Sequence, residues 1–126
     1  LYGWAMVQAL PYKDLKLDNS VKLEQILSTP DDKETVYMVE IDIKYPIELH
    51  NKVKQFPPCP ENLTPKEEWL SDYQRDIMEK TKGKLTPKIL PHLYEHKNYC
   101  IHYRNLKSIK ELGIEVSTLH NVVSFK

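Results

Sequence analysis

Glycine is scarce in this 126-residue chain, with three residues against nine prolines. With so few free φ angles and so many fixed ones, the backbone must be broken often and held stiffly. Cysteine is scarcer still. Cys59 and Cys100 are too few for a disulfide framework, and a reduced interior is the simpler setting. Net charge is missing altogether, because 18 Lys+Arg balance 18 Asp+Glu. A self-standing nucleic-acid binder usually carries a basic excess, so composition does not advertise one. No apolar run reaches the ~20 residues of a membrane-spanning helix. The opening LYGWAMVQALPY has neither the basic start nor the long apolar run of a signal peptide. P-loop, GxGxxG, GxSxG, HExxH and CxxC motifs are also absent. The residues alone therefore support no enzyme class.

What is present reads as one domain's worth of globular α+β chain, 40% hydrophobic and 29% charged. Residues 1–10 have a helix-compatible apolar spread ended by Pro11, and 12–19 read as a polar connection. Val21, Leu23, Ile26 and Leu27 could line a short helix that stops before Pro30. VYMVEIDI, residues 36–43, is the clearest strand. Tyr37, Val39, Ile41 and Ile43 share its buried face, and Glu40 and Asp42 share the wetter one. Residues 47–53 suit one or two helical turns, and FPPCP at 56–60 must run extended. Thr64, Pro65 and Glu67 form a capping box that predicts a helix carrying Trp69, Tyr73, Ile77 and Met78 as its apolar stripe and stopping at Gly83. Residues 86–91 read as a proline-bounded turn and 99–104 as a strand. Asn105 is expected to cap a helix to Leu112 closed by Gly113, before a last strand over 114–125.

Several groups could carry chemistry. Glu40 and Asp42, two apart on one strand face, could hold a divalent metal, or could be an ordinary solvated face. His92, His96, Cys100 and His102 are loosely grouped, and His92 with His96 has the i, i+4 spacing of a shared zinc, but no fourth ligand on a stiff scaffold is evident. Cys100 within a strand reads as a small hydrophobe. Lys97, Arg104, Lys107 and Lys110 could meet a phosphate backbone or could balance Glu95, Glu111 and Glu115. Tyr2, Trp4, Tyr12 and Trp69 could stack on bases, though aromatic residues are core material first.

Five stretches go further when taken together and in order. They are Leu1-Tyr2-Gly3-Trp4-Ala5-Met6, Ile41-Asp42-Ile43-Lys44-Tyr45-Pro46 with Leu49-His50, His102 to Lys107, Leu112-Gly113-Ile114, and His120 to Phe125. This series resembles the protein-primed family B DNA polymerases of Polinton/Maverick transposons and related viruses and linear plasmids. In that family the first polymerase motif reads Asp-x-x-(Asn/Ser)-Leu-Tyr-(Gly/Pro), and the chain matches its second half. Asp42 stands too close to Tyr45 to supply that motif's aspartate, and is read as structural.

The resemblance implies an α+β fold made of a partial palm (1–45), a mostly helical insertion that contacts the terminal protein (46–113), and a strand returning toward palm and fingers (114–126). It implies template-directed deoxynucleotidyl transfer by the parent enzyme with Mg2+, while the catalytic aspartates and metal ligands fall outside this stretch. The piece alone is expected to be inactive and to bind no metal. Leu1 and Tyr2 would border the incoming nucleotide, with the Tyr2 ring leaving no room for a 2′-hydroxyl. Arg104 and Lys107 are the candidates for the DNA backbone. The implied partners are primer–template DNA, a deoxynucleoside triphosphate and a terminal protein, with no membrane. The implied location is intracellular, and nuclear in a eukaryotic host. The alternative is a non-catalytic nucleic-acid- or protein-binding module from a degraded transposon.

Overall fold

A computed structural model describes all residues from Leu1 to Lys126. In chain order the elements are α1 (Tyr2–Met6), β1 (Lys16–Leu17), α2 (Leu23–Ser28), β2 (Val36–Lys44), α3 (Ile47–Val53), β3 (Glu61–Leu63), a 3-10 turn (Glu67–Trp69), α4 (Asp72–Thr81), β4 (Lys88–Leu90), β5 (His96–His102), α5 (Tyr103–Leu112) and β6 (Glu115–Phe125). They form two compact units. The first comprises Leu1–Leu49 and Tyr94–Lys126, and the second His50–Leu93. The α+β class expected from sequence holds. No helix is long and apolar enough to cross a membrane.

The first unit is built on a four-stranded antiparallel sheet in the order β1-β6-β2-β5. The period-two pattern of β2 buries Val39, Ile41 and Ile43, as their alternation requires. Helix α5 packs on β2 and β5 and touches α2. Its buried residues Tyr103, Leu106 and Ile109 recur every three positions, which puts them on one helical face. Ile26, Ile101, Ile114 and Val122 complete this core. Each such side chain contributes roughly 1.5–3 kcal/mol on leaving water. Gly113 closes α5 at φ 102°, as the sequence predicts.

Other boundaries differ. The N-cap of α5 is His102, not Asn105, and its Nδ1 accepts the Arg104 amide at 3.3 Å. Strand β5 therefore ends at the cap residue His102, and residues 103 and 104 are helical rather than extended. The polar connection at 12–19 contains an edge strand. Lys16 and Leu17 pair with Ser124 and Val123, and the Lys126 amide donates to the Lys13 carbonyl at 3.0 Å. Two residues carry too little pattern to be read as a strand, and β6 supplies the pairing that creates it. Helix α1 is half the expected length and buries no residue.

The second unit holds the β3–β4 ribbon, with Asn62 opposite Ile89, and α4. Ribbon strand β4 lies where the proline-bounded turn was expected. The capping box at Thr64 does not start α4. It precedes a 3-10 turn, and the helix begins one motif later. Ser71 Oγ accepts the Gln74 amide at 3.2 Å, and Gln74 accepts the Ser71 amide at 2.9 Å. Arg75 fastens the two pieces by donating to the Leu70 carbonyl from Nε and Nη2. The helix ends on Lys82 in the left-handed region, φ 51° and ψ 35°, one residue before the predicted Gly83. The stripe Trp69, Tyr73 and Ile77 lies exposed, and α4 buries none of its residues.

Candidate functional site

The wetter face of β2 carries the densest polar network in the first unit. Asp42 sits where the β2–β5 register slips between Ile41 and Ile43, and where the β2–β6 register slips after Asp42. Such bulges strengthen twist and re-aim side chains. On β5, Asn98 takes the left-handed conformation, φ 53°, and its amide donates to Asp42 Oδ1 at 2.9 Å. On β6, His120 Nε2 meets the same oxygen at 2.8 Å. Lys97 reaches Oδ2 at 3.5 Å. One carboxylate thus accepts donors from both neighbouring strands.

Glu40, two residues earlier, repeats the arrangement. Asn98 Nδ2 donates to one of its oxygens at 2.9 Å and Asn121 Nδ2 to the other at 2.6 Å. Asn121 Oδ1 then accepts from Asn19 Nδ2 at 2.9 Å, and Asn19 Oδ1 accepts the Val122 amide at 2.9 Å. The Asn98 amide, then His120, hold the Asp42 carboxyl below the ordinary carboxylate range. Asn121, then Asn98, do the same for Glu40. Both are charged acceptors used up in joining strands, which agrees with a structural reading of Asp42. Sequence reasoning missed Asn19, Asn98 and Asn121. A lone asparagine carries no pattern, and only the bulge makes Asn98 informative.

Arg104 and Lys107 lie on α5, one helical turn apart, and both engage the turn at residues 29–31. Lys107 Nζ donates to the Thr29 carbonyl at 2.8 Å and pairs with the Asp31 carboxylate. Arg104 donates to the Asp31 carbonyl. Between them, the buried Tyr103 hydroxyl donates to the Pro30 carbonyl at 3.0 Å. Lys107 also lies 5.0 Å from the Tyr103 ring centroid. Leu1 and Tyr2 stand apart from this, 95% and 85% exposed at the start of α1. The structure brings Arg104 and Lys107 together and leaves Leu1 and Tyr2 with neither.

His102 caps α5, and its imidazole is held below its ordinary range first by burial and then by Arg104. His96 is fully buried against the rings of Tyr45 and Tyr99. His92 in the second unit meets Glu61 at 2.7 Å. Cys100 is exposed rather than buried, which corrects its reading as a core hydrophobe: its strand position faces the wetter side, opposite Glu40.

Comparison of the chain with protein-family models, curated proteins and solved structures returns no match.

Proposed function

We propose that this chain is a palm-and-insertion piece of a protein-primed family B DNA polymerase. The ordered motifs support the reading, and one contact among their residues carries it furthest. Asp42, from the Ile-Asp-Ile-Lys-Tyr-Pro stretch, meets His120, from the His-x-Val-x-x-Phe stretch, across 78 positions at 2.8 Å. His102 of the His-Tyr-Arg stretch also faces Phe125, with ring centroids 6.1 Å apart. Residues singled out by the resemblance thus meet one another within the one sheet, Asp42 and His120 on adjacent strands and His102 and Phe125 at the ends of β5 and β6.

On this reading the parent enzyme extends a protein-borne hydroxyl with deoxynucleotides on a DNA template. On that reading Mg2+ would supply charge neutralisation on the triphosphate, and carboxylates outside this chain would hold it. Tyr2 excludes ribonucleotides by filling the space of a 2′-hydroxyl.

The coding sequence around the chain tests this. An Asp-x-x-Asn or Asp-x-x-Ser run directly before Leu1 is expected, and unrelated codons there overturn the reading. In the parent polypeptide, Tyr2→Val should raise ribonucleotide incorporation with deoxynucleotide incorporation retained.

A further inference from the structure

Three of the nine prolines follow a threonine, giving Thr29-Pro30, Thr64-Pro65 and Thr86-Pro87. A residue before proline is pushed out of the helical region toward an extended backbone. The proline itself brings no N–H that a partner would have to satisfy. A threonine in this position, exposed and not bonded within the fold, therefore offers its hydroxyl on an extended piece of chain.

The fold treats the three differently. Thr29 is half-buried and engaged on both sides. Its hydroxyl donates to the Gln25 carbonyl at 2.7 Å, and its own carbonyl accepts from Lys107 at 2.8 Å. Thr64 and Thr86 are exposed, lie outside helix and strand, and make no side-chain hydrogen bond. Both belong to the second unit, where the β3–β4 ribbon brings them to one end. Leu63, the last residue of β3, pairs with Lys88, the first of β4. Thr64 leaves the ribbon directly after Leu63, and Thr86 approaches it two residues before Lys88. Because the strands are antiparallel, that end presents the same tripeptide twice in opposite directions, as Thr64-Pro65-Lys66 and Thr86-Pro87-Lys88. Lys66 and Lys88 are exposed cations where the Thr29 segment carries Asp31. Lys66 reaches Glu68 at 3.6 Å, a solvent-exposed pair of little strength.

We propose that Thr64 and Thr86 form a twin phosphate-acceptor site for a proline-directed serine/threonine kinase. The kinase brings a nucleoside triphosphate as co-substrate. Threonine Oγ attacks the γ-phosphorus, and the bond from that phosphorus to the diphosphate oxygen breaks. The hydroxyl proton passes to the catalytic base of the kinase, and the products are phosphothreonine and a nucleoside diphosphate. Each transfer replaces a neutral hydroxyl with about −1.5 to −2 charge at the ribbon end. The site stands whether or not the chain derives from a polymerase.

The test uses the whole folded chain with Mg2+-ATP and a purified proline-directed kinase. Intact mass counts the phosphates, and peptide mass spectrometry places them. Phosphate on Thr64 and Thr86 is expected, with Thr29 unmodified. Thr64→Ala and Thr86→Ala should each remove one phosphate, and the double variant both, with an unchanged far-UV CD spectrum. Pro65→Ala/Pro87→Ala keeps both hydroxyls and should lose most of the incorporation. Incorporation at Thr29 as fast as at the pair, no incorporation at the pair in the folded chain, or full incorporation without the two prolines each overturns the site.

Discussion

One oxygen of Asp42 takes the Asn98 amide at 2.9 Å and His120 Nε2 at 2.8 Å, so a single carboxylate on β2 ties β5 and β6. The charge form is what these donors favour, and the Asp42 pKa accordingly lies below its ordinary 3.8. A carboxylate lowered on folding adds stability above its unfolded pKa and forfeits it as pH falls through the folded one. The Tm followed by CD should therefore drop below about pH 4. Asp42→Asn should lower the Tm at neutral pH and make the acid limb shallower. An acid limb of wild-type steepness in that variant would show that the carboxylate is not responsible.

His102 acts at a higher pH and through a different group. Its Nδ1 must be unprotonated to accept the Arg104 amide and cap α5. The groups facing it agree: burial and Arg104 disfavour the imidazolium, and only Asp31 favours it. A histidine lowered on folding is fully stabilising above its ordinary 6.5, and that stability is lost as pH falls below it toward the folded value. The Tm should thus begin to fall as pH drops below 6.5, before the carboxylates titrate. His102→Asn keeps a side-chain acceptor at the cap and removes the titration. It should flatten this upper limb alone. NMR titration of the His102 ring protons reads the same pKa directly.

The sheet was more legible than the site, for physical reasons. Val39, Ile41 and Ile43 alternate, and alternation survives any tertiary context that buries one face. Gly113 was legible because the αL position after α5 favours glycine. The start of α4 was not, since Thr64-x-x-Glu67 and Ser71-x-x-Gln74 obey the same capping grammar, and the reciprocal Ser71–Gln74 bonds formed in the fold are what reveal which was used. The Asp42 network depends on register slips, which no short-range pattern announces. Arg104 and Lys107 look like free cations in sequence because Asp31, their partner, lies more than seventy residues away.

Tyr103 measures how much the α5 contact holds the Thr29–Asp31 turn. The side chain is fully buried, and its ring meets Tyr37 edge-on at 6.5 Å. Tyr103→Phe keeps that packing and strips the bond to the Pro30 carbonyl. A net loss of about 1 kcal/mol is expected in urea unfolding. Tyr103→Ala opens a cavity as well and should lose about 3–5 kcal/mol. If the two variants lose equal amounts, the hydroxyl rather than the ring is what secures the turn.

Two helix ends offer a matched test of backbone strain. Both α4 and α5 finish on a left-handed residue, yet α5 uses Gly113 and α4 uses Lys82. A side chain at Gly113 would find only ordinary contact with Leu49, 3.9 Å away, so space is not the obstacle and φ is. Gly113→Ala should cost about 1 kcal/mol. Lys82→Gly runs the other way. Relief of about 1–2 kcal/mol of strain is offset by ~0.4–1 for the freer unfolded chain and ~0.3 for a cation lost from the helix C-terminus. A net gain of about 0.5 kcal/mol remains. Hydrogen exchange of the Gly83 amide, which donates to the Met78 carbonyl at 2.9 Å, reads that gain locally as slower exchange. Faster exchange in Lys82→Gly would mean that the lysine side chain itself holds the turn, and that its conformation there carries no strain.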